Sequence, residues 1–397
     1  MRRAPKKGYV RLRGRGRITG EPARRRIPVT GAPKFGIERA AHMTDRTNTG
    51  KLVGIEAARG FAAFLVVCVH SGNHIMKDNG TLPLGGMTAF AHAGVDLFFV
   101  ISGFIILFVH QHDLGQPGRF LNYAQRRISR IYPAYWVVLL LTAADKARKQ
   151  MPELSQIAWD ALLLPEPTPI FDIAWTLQHE MVFYVLFAIA IVHRRLGLTL
   201  FAAWFIVIMA GIVGIVPPQD GGLVRLTSFF NILFFFGLGC AWVVRRHRIP
   251  APALLATLGL GCFLAAGVLE NIGRMNGHGP LARLVYGAAA AALLVGLVEL
   301  ERQNRLRVPR FMVVIGDATY AIYLFHLLIM GVIWQVLLRS GIKQLVPPDM
   351  QVLVLIIGCV IGGCLASRVI EKPVNAAFRR VFSIGKAPRA PAREPAG

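Results

Sequence analysis

Arg59 and His70 bracket the apolar decapeptide GFAAFLVVCV in the first long apolar run of the chain. On a helix, eleven residues at about 100° each bring the second side chain back to within roughly 20° of the first, so the two share one face. They stand about 16 Å apart along the axis, too far to touch and close enough to line one polar path. An arginine near the middle of a span costs at least ~2.5 kcal/mol on insertion scales, so such residues usually face a bundle interior or a cavity and serve a function. The structural alternative has Arg59 snorkelling to headgroup phosphates and His70 satisfied in the core. Histidine, with an ordinary pKa of about 6.5, can accept a hydroxyl proton at neutral pH, which makes His70 a candidate catalytic general base.

Further along, GVDLFFVISGFII carries Asp96, read as a helix N-cap, and Ser102 with Gly103, read as small residues for close helix packing. The stretch FLNYAQRRISRIYPAYW sets Arg127 and Arg130 three residues apart, with Tyr132, Tyr135 and Trp136 just beyond. At the least this is an interfacial helix with an aromatic belt. Two planar guanidinium forks beside a pore also suit paired phosphate oxygens, such as those of coenzyme A.

AWTLQHEMVFYVLF contains Trp175, His179, Glu180 and Tyr184, the last two four apart on one helical face. Glu180, a carboxylate in an apolar span, can position a substrate hydroxyl, orient His70 or pair with a buried arginine, and its spacing leaves all three open. Tyr320, Tyr323 and His326 in GDATYAIYLFH are second-rank candidates, His326 for a hydrogen bond across the bundle, and Glu371 reads as a helix-end pair with Lys372. His74 and His92 read as solvated or interfacial. Gly237 and Gly239 in FFGLGCAW lack the strand–turn–helix context of a phosphate loop.

The elements that must hold these residues follow from composition. Hydrophobic residues make up 54% of the 397-residue chain and mean hydropathy is +0.50, whereas a soluble domain is less apolar and about a quarter charged. Apolar runs of about 20 residues, each long enough for a hydrocarbon core of roughly 30 Å, recur along the chain, and in lipid they must be helices. An all-α polytopic membrane protein is expected, with ten spans near 53–75, 93–112, 131–145, 173–193, 198–216, 226–245, 251–270, 281–300, 318–338 and 351–370. Residues 157–164 read as a re-entrant or interfacial segment.

The five cysteines lie inside apolar runs with no CxxC or Cys/His cluster, so neither a disulfide framework nor a metal site is expected. The net charge of +24 is spread between spans and in tails, without interleaved aromatics in a soluble domain, which argues for anionic lipid contact and against nucleic acid. Residues 1–50 are basic and without periodicity and are expected to be a disordered tail, as are residues 376–397. Met43 opens a natural short lead into the first helix, so a chain expressed from Met43 is expected to keep its activity.

Lys and Arg in the connections set the orientation. Arg119, Arg126, Arg127, Arg130, Arg194, Arg195, Arg245, Arg246, Arg248, Arg302, Arg305, Arg307 and Arg310 fall on one side. The other side carries fewer: Lys77, Lys146, Arg148, Lys149, Arg225, Arg274, Arg339 and Lys343. Both termini are therefore expected to be cytoplasmic.

Taken in order, these motifs resemble the acyltransferase-3 family of bacterial membrane O-acyltransferases, from residue 51 to about 375. The resemblance rests on R-x10-H at Arg59 and His70, on GVDLFFVISGF, on RRISRIYPAYW with R-x-x-R at Arg127 and Arg130, on WTLQHEMVFY, on TYAIYLFH and on the terminal EKP. The WTLQHEMVFY form and the preceding LLLPEPTP look most like the exopolysaccharide O-acetyltransferase branch. The resemblance implies a ten-helix domain in the bacterial inner membrane that moves acetyl or another short acyl group from cytoplasmic acyl-CoA to a sugar of an envelope glycan. It implies no permanently bound cofactor, with acyl-CoA as donor substrate and a carbohydrate or glycolipid as acceptor. By the same resemblance His70 matches the catalytic histidine, Arg59 its essential partner, and Arg127 with Arg130 the donor-site arginines. Glu180 joins His70 as a catalytic candidate, and Tyr132, Trp175, Tyr184 and His326 join the arginines as candidate binding residues. The rival class is a secondary transporter or flippase of a glycan or its lipid-linked precursor, since ionisable residues in spans also mark transport paths; the absence of a visible repeat argues mildly against it.

Overall fold

The computed structural model describes residues 52–382 apart from 218–220 and 222, and every regular element among them is helical. In chain order these are α1 (Val53–Asn79), α2 (Gly94–His110), α3 (Phe120–Ala147), α4 (Leu154–Ala161), α5 (Ala174–Val192), α6 (Arg194–Ile212), α7 (Leu223–Thr227) and α8 (Ile232–Arg246). There follow α9 (Pro252–Asn271), α10 (Pro280–Arg302), α11 (Arg310–Asp317), α12 (Thr319–Arg339), α13 (Pro348–Ala366) and α14 (Lys372–Val381), with a π-helical turn at Ser367–Glu371 between the last two. Among the described residues nine helices are long and apolar enough to cross a membrane. The chain is an all-α, multi-pass membrane protein.

Nine of the ten expected spans coincide with those helices. The third, residues 131–145, is the second half of the 28-residue α3, whose first half carries Arg126, Arg127 and Arg130 and is too polar to count with the others. Residues 157–164 form α4 and its last turn, tied to α3 by three hydrogen bonds. Tyr132 donates to the Leu162 carbonyl at 2.9 Å, Tyr135 to Asp160 at 2.8 Å and Trp136 to Ala161 at 2.8 Å. Because α14 runs to Val381, residues 376–381 of the expected C-terminal tail are helical. Residues 1–51 and 383–397 lie outside the described residues.

The two ends of the bundle are chemically distinct. At one, the Val53 and Gly54 amides donate to Glu301 at 2.7 and 2.8 Å, Arg302 donates to the Val244 and His247 carbonyls at 2.6 and 3.0 Å, Arg245 donates to Phe108, and Lys372 pairs with Asp317 at 2.6 Å. These contacts gather the connections rich in arginine. At the other end Lys343 pairs with Asp78 at 2.5 Å and the Leu84 amide donates to Asp349 at 2.6 Å.

Glycines bring the central helices to backbone contact. A Cβ on Gly103 of α2 would collide with the Phe234 carbonyl of α8, and one on Gly237 with the Val100 carbonyl of α2. Gly60 of α1 lies against the Gly316 backbone of α11, and Gly94 packs on α1 at Ala62, Leu65 and Val66. Small residues allow this approach, and van der Waals contact is what holds helices together where lipid removes the hydrophobic drive.

Candidate active site

α1, α2, α3, α5 and α12 enclose a cavity of about 90 Å³ towards the arginine-rich end. Its polar wall includes Arg59, Arg127, Arg130, Ser102, Glu180 and Tyr184, with Tyr320 and Tyr323 from α12. Helical spacing explains which side of α5 supplies it. Thr176, Glu180 and Tyr184 are four apart and fall on the cavity face, whereas Trp175 and His179, another i,i+4 pair about 100° round the helix, fall outside. The R-x-x-R spacing on α3 likewise puts Arg127 and Arg130 on one face.

Glu180 accepts hydrogen bonds from Ser102 Oγ at 2.9 Å and from the Tyr184 hydroxyl. It is therefore a cavity carboxylate held by two hydroxyls, with no direct contact to His70. Ser102, read above as packing, points at the cavity, while its neighbour Gly103 does the packing. Arg59, 13% exposed, pairs with Glu56 on its own helix at 3.1 Å.

Arg127 Nη2 lies 3.4 Å from His110 Nε2, and His110 Nδ1 lies 2.8 Å from Asp113. The guanidinium also faces the rings of Tyr123 and Tyr184 at 5.9 and 5.6 Å, and its Nε is buried without a partner among the described residues. Among the described residues neither Arg127 nor Arg130 forms an ion pair, so two cations front the cavity without a bonded carboxylate. His110 was not singled out in the sequence. Its signal is weak, a histidine at the end of an apolar run in LFVHQHD.

His70 lies beyond the cavity wall, about three turns from Arg59 along α1. Its ring lies against that of His326, with centroids 5.0 Å apart and planes tilted by 47°. His326 is fully buried, and its Nδ1 must carry the proton because it donates to the Tyr323 carbonyl at 2.6 Å. That leaves His326 Nε2 with no partner among the described residues. The structure thus brings Arg59, Arg127, Arg130, Glu180 and Tyr184 to one cavity and pairs His70 with His326 next to it. Tyr132 and Trp175 are not in either group: Tyr132 is tied to α4, and Trp175 packs on Phe230 and His179.

Three secondary readings change. Asp96 makes no cap hydrogen bond; fully buried, it needs a counter-charge and pairs with Arg283 of α10 at 2.6 Å. His92, read as solvated or interfacial, is mostly buried and has a partner: it bonds Glu270 at 2.7 Å, and Glu270 also accepts from Tyr286 at 2.8 Å. Glu371 accepts from Ser367 at 2.8 Å, while Lys372 turns to Asp317. Arg283 was missed because its partner is 187 residues away and nothing local marks it.

In the loop between α4 and α5, Glu166 is half-buried, and its carboxyl is pushed up to about 8, first by loss of solvent and then by the neighbouring Asp160, against a smaller opposing effect of Arg225. This loop ends at Ile173, whose carbonyl lies 3.1 Å from the Tyr323 hydroxyl on the cavity wall.

Residues 52–368 match the acyltransferase-3 family, described as an acyltransferase domain. The chain is 29% identical over 300 residues to the exopolysaccharide production protein ExoZ of Rhizobium meliloti, covering 71% of this chain and 89% of that one. It is 23% identical over 376 residues to the putative peptidoglycan O-acetyltransferase YrhL of Bacillus subtilis, covering 83% of this chain and 56% of that one. It is also 26% identical over 220 residues to protein 2 in the picA locus of Rhizobium radiobacter, covering 54% and 95%. No solved structure matches. With the matched region taking in the cavity, the histidine pair and nearly every span, the chain belongs to the acyltransferase-3 family and is a multi-pass membrane acyltransferase.

Proposed function

We propose that the protein moves an acetyl or other short acyl group from cytoplasmic acyl-CoA across a bacterial inner membrane to a sugar hydroxyl of an exopolysaccharide or other envelope glycan. The observation that carries the donor half is the pair of cavity-facing arginines, Arg127 and Arg130, with no ion-pair partner among the described residues. Phosphate oxygens match guanidinium forks, and the arginine excess at this end accords with a cytoplasmic side. For the acceptor half, two of the relatives are named for saccharide polymers, an exopolysaccharide and peptidoglycan.

In this reading the CoA phosphates rest on Arg127 and Arg130, and the thioester arm passes Arg59 towards His70. The imidazole of His70 takes the proton of the acceptor hydroxyl, and the resulting oxygen nucleophile attacks the thioester carbonyl. The C–S bond breaks, and the CoA thiolate recovers the proton from the imidazolium. His326, with its Nδ1–H spent on a backbone carbonyl, offers Nε2 as an acceptor beside His70 and can hold that ring in orientation.

The test uses the purified full chain in lipid with acetyl-CoA and a glycan acceptor, following free CoA thiol and ester-linked acetyl on the glycan. Both should appear together and both should be lost in His70→Ala. Full transfer by His70→Ala overturns the role of His70, and movement of glycan with no thiol release favours the transporter reading. Surface glycans from cells with and without the gene should differ in ester-linked acyl groups.

A further inference from the structure

The arginine-lined cavity does not open onto the histidine pair. On the wall towards His326 the ring of Tyr323 of α12 meets that of Phe98 of α2 edge to face, with centroids 5.7 Å apart and planes at 76°. Both rings line the cavity. On the far side the Tyr323 ring lies 6.0 Å from that of His326, which in turn lies against the His70 ring. Tyr323 therefore neighbours both the cavity and the histidine pair.

The two rings are not equally free. The Tyr323 hydroxyl lies 2.5 Å from Thr176 Oγ1 and 3.1 Å from the Ile173 carbonyl, and the Tyr323 backbone carbonyl is held by His326. Moving this ring costs hydrogen bonds in a place where water does not replace them. Phe98 has no polar group to anchor it and is only half-buried, so a change of side-chain rotamer is the cheaper way to part the pair.

We propose that Phe98 and Tyr323 form the aperture of the acyl path and select the acyl group by its cross-section. This rests on the reading that an acyl thioester travels from the arginine end to His70. A flat, unbranched acetyl group passes when Phe98 swings aside. An acyl group branched or aromatic next to its carbonyl is wider and requires Tyr323 to move as well, against its hydrogen bonds. The aperture thus acts on width rather than on chain length.

The experiment compares acetyl-CoA, isobutyryl-CoA and benzoyl-CoA as donors to one glycan acceptor, using the full chain in lipid and reading the ratio of kcat/KM between donors. The parent protein should favour acetyl over isobutyryl at least tenfold. In Phe98→Ala the isobutyryl-to-acetyl ratio should rise at least tenfold whatever the absolute rates, with a smaller rise in Phe98→Leu. Tyr323→Phe, which keeps the ring and loses its anchor, should shift the ratio in the same direction. A parent protein that uses acetyl and isobutyryl equally well overturns the aperture, as does an unchanged ratio in the Phe98 variants. A parent protein that releases thiol from none of the three donors overturns the donor reading itself, so the two failures are told apart.

Discussion

Arg127 is held by a histidine and two tyrosine rings, an arrangement that fixes a planar fork while leaving it without an ion pair among the described residues. Lysine keeps the charge but has neither the plane nor the paired donors. Arg127→Lys is therefore expected to raise KM for acyl-CoA about tenfold, the size of one hydrogen bond to a charged group, with a smaller effect on kcat. Titrating acyl-CoA in initial-rate assays checks this, and an unchanged KM removes Arg127 from the donor site. Much of this was legible in the sequence, because R-x-x-R and E-x3-Y are local spacings that fix a shared face. What was not legible were contacts between distant segments: Ser102 with Glu180, His110 with Arg127, and Asp96 with Arg283. A pair separated by tens of residues leaves no periodicity to read.

At the level of elements, α2 and α8 touch backbone to backbone because Gly103 and Gly237 face each other's helices. α2 also carries Ser102 and Phe98, so any widening of this contact moves the cavity wall. Gly103→Ala should cost about 1–3 kcal/mol through overpacking, seen as a lower Tm in detergent and as lost transfer activity; an unchanged Tm argues that α8 is free to shift. The loop between α4 and α5 gives a second prediction. Glu166 is raised from the ordinary 4.5 to about 8, so the folded chain binds its proton more tightly than the unfolded chain. The stability this confers is full below about 4.5 and is lost as pH rises towards 8. Glu166→Gln should flatten that part of the stability–pH curve, and Tm measured between these limits decides it. The strong apolar runs made the nine spans readable, while α3 was only half read, since its apolar half looks like a span and its arginine half like a loop.

For the whole molecule, hydrogen bonds at the arginine-rich end join several of the segments that the loop charges place on one side. Which face of the membrane that end meets is testable with single cysteines in a background freed of the native ones. Lys343→Cys should react with an impermeant maleimide in intact cells and Arg305→Cys only after lysis; the reverse pattern would put the donor cavity outside. The charges also carry information about how such a chain can be built. Arg59 and Glu56 neutralise each other three residues apart, so α1 enters the bilayer with its charge already balanced. Asp96 has to wait for Arg283, 187 residues later. α2 is therefore expected to settle only after α10 has been made. Chains ended before Pro280 should leave an uncompensated carboxylate in the lipid and be recognised as unfinished, whereas Arg283→Ala, Asp96→Ala or both together should separate the fault of an unpaired charge from the loss of the pair.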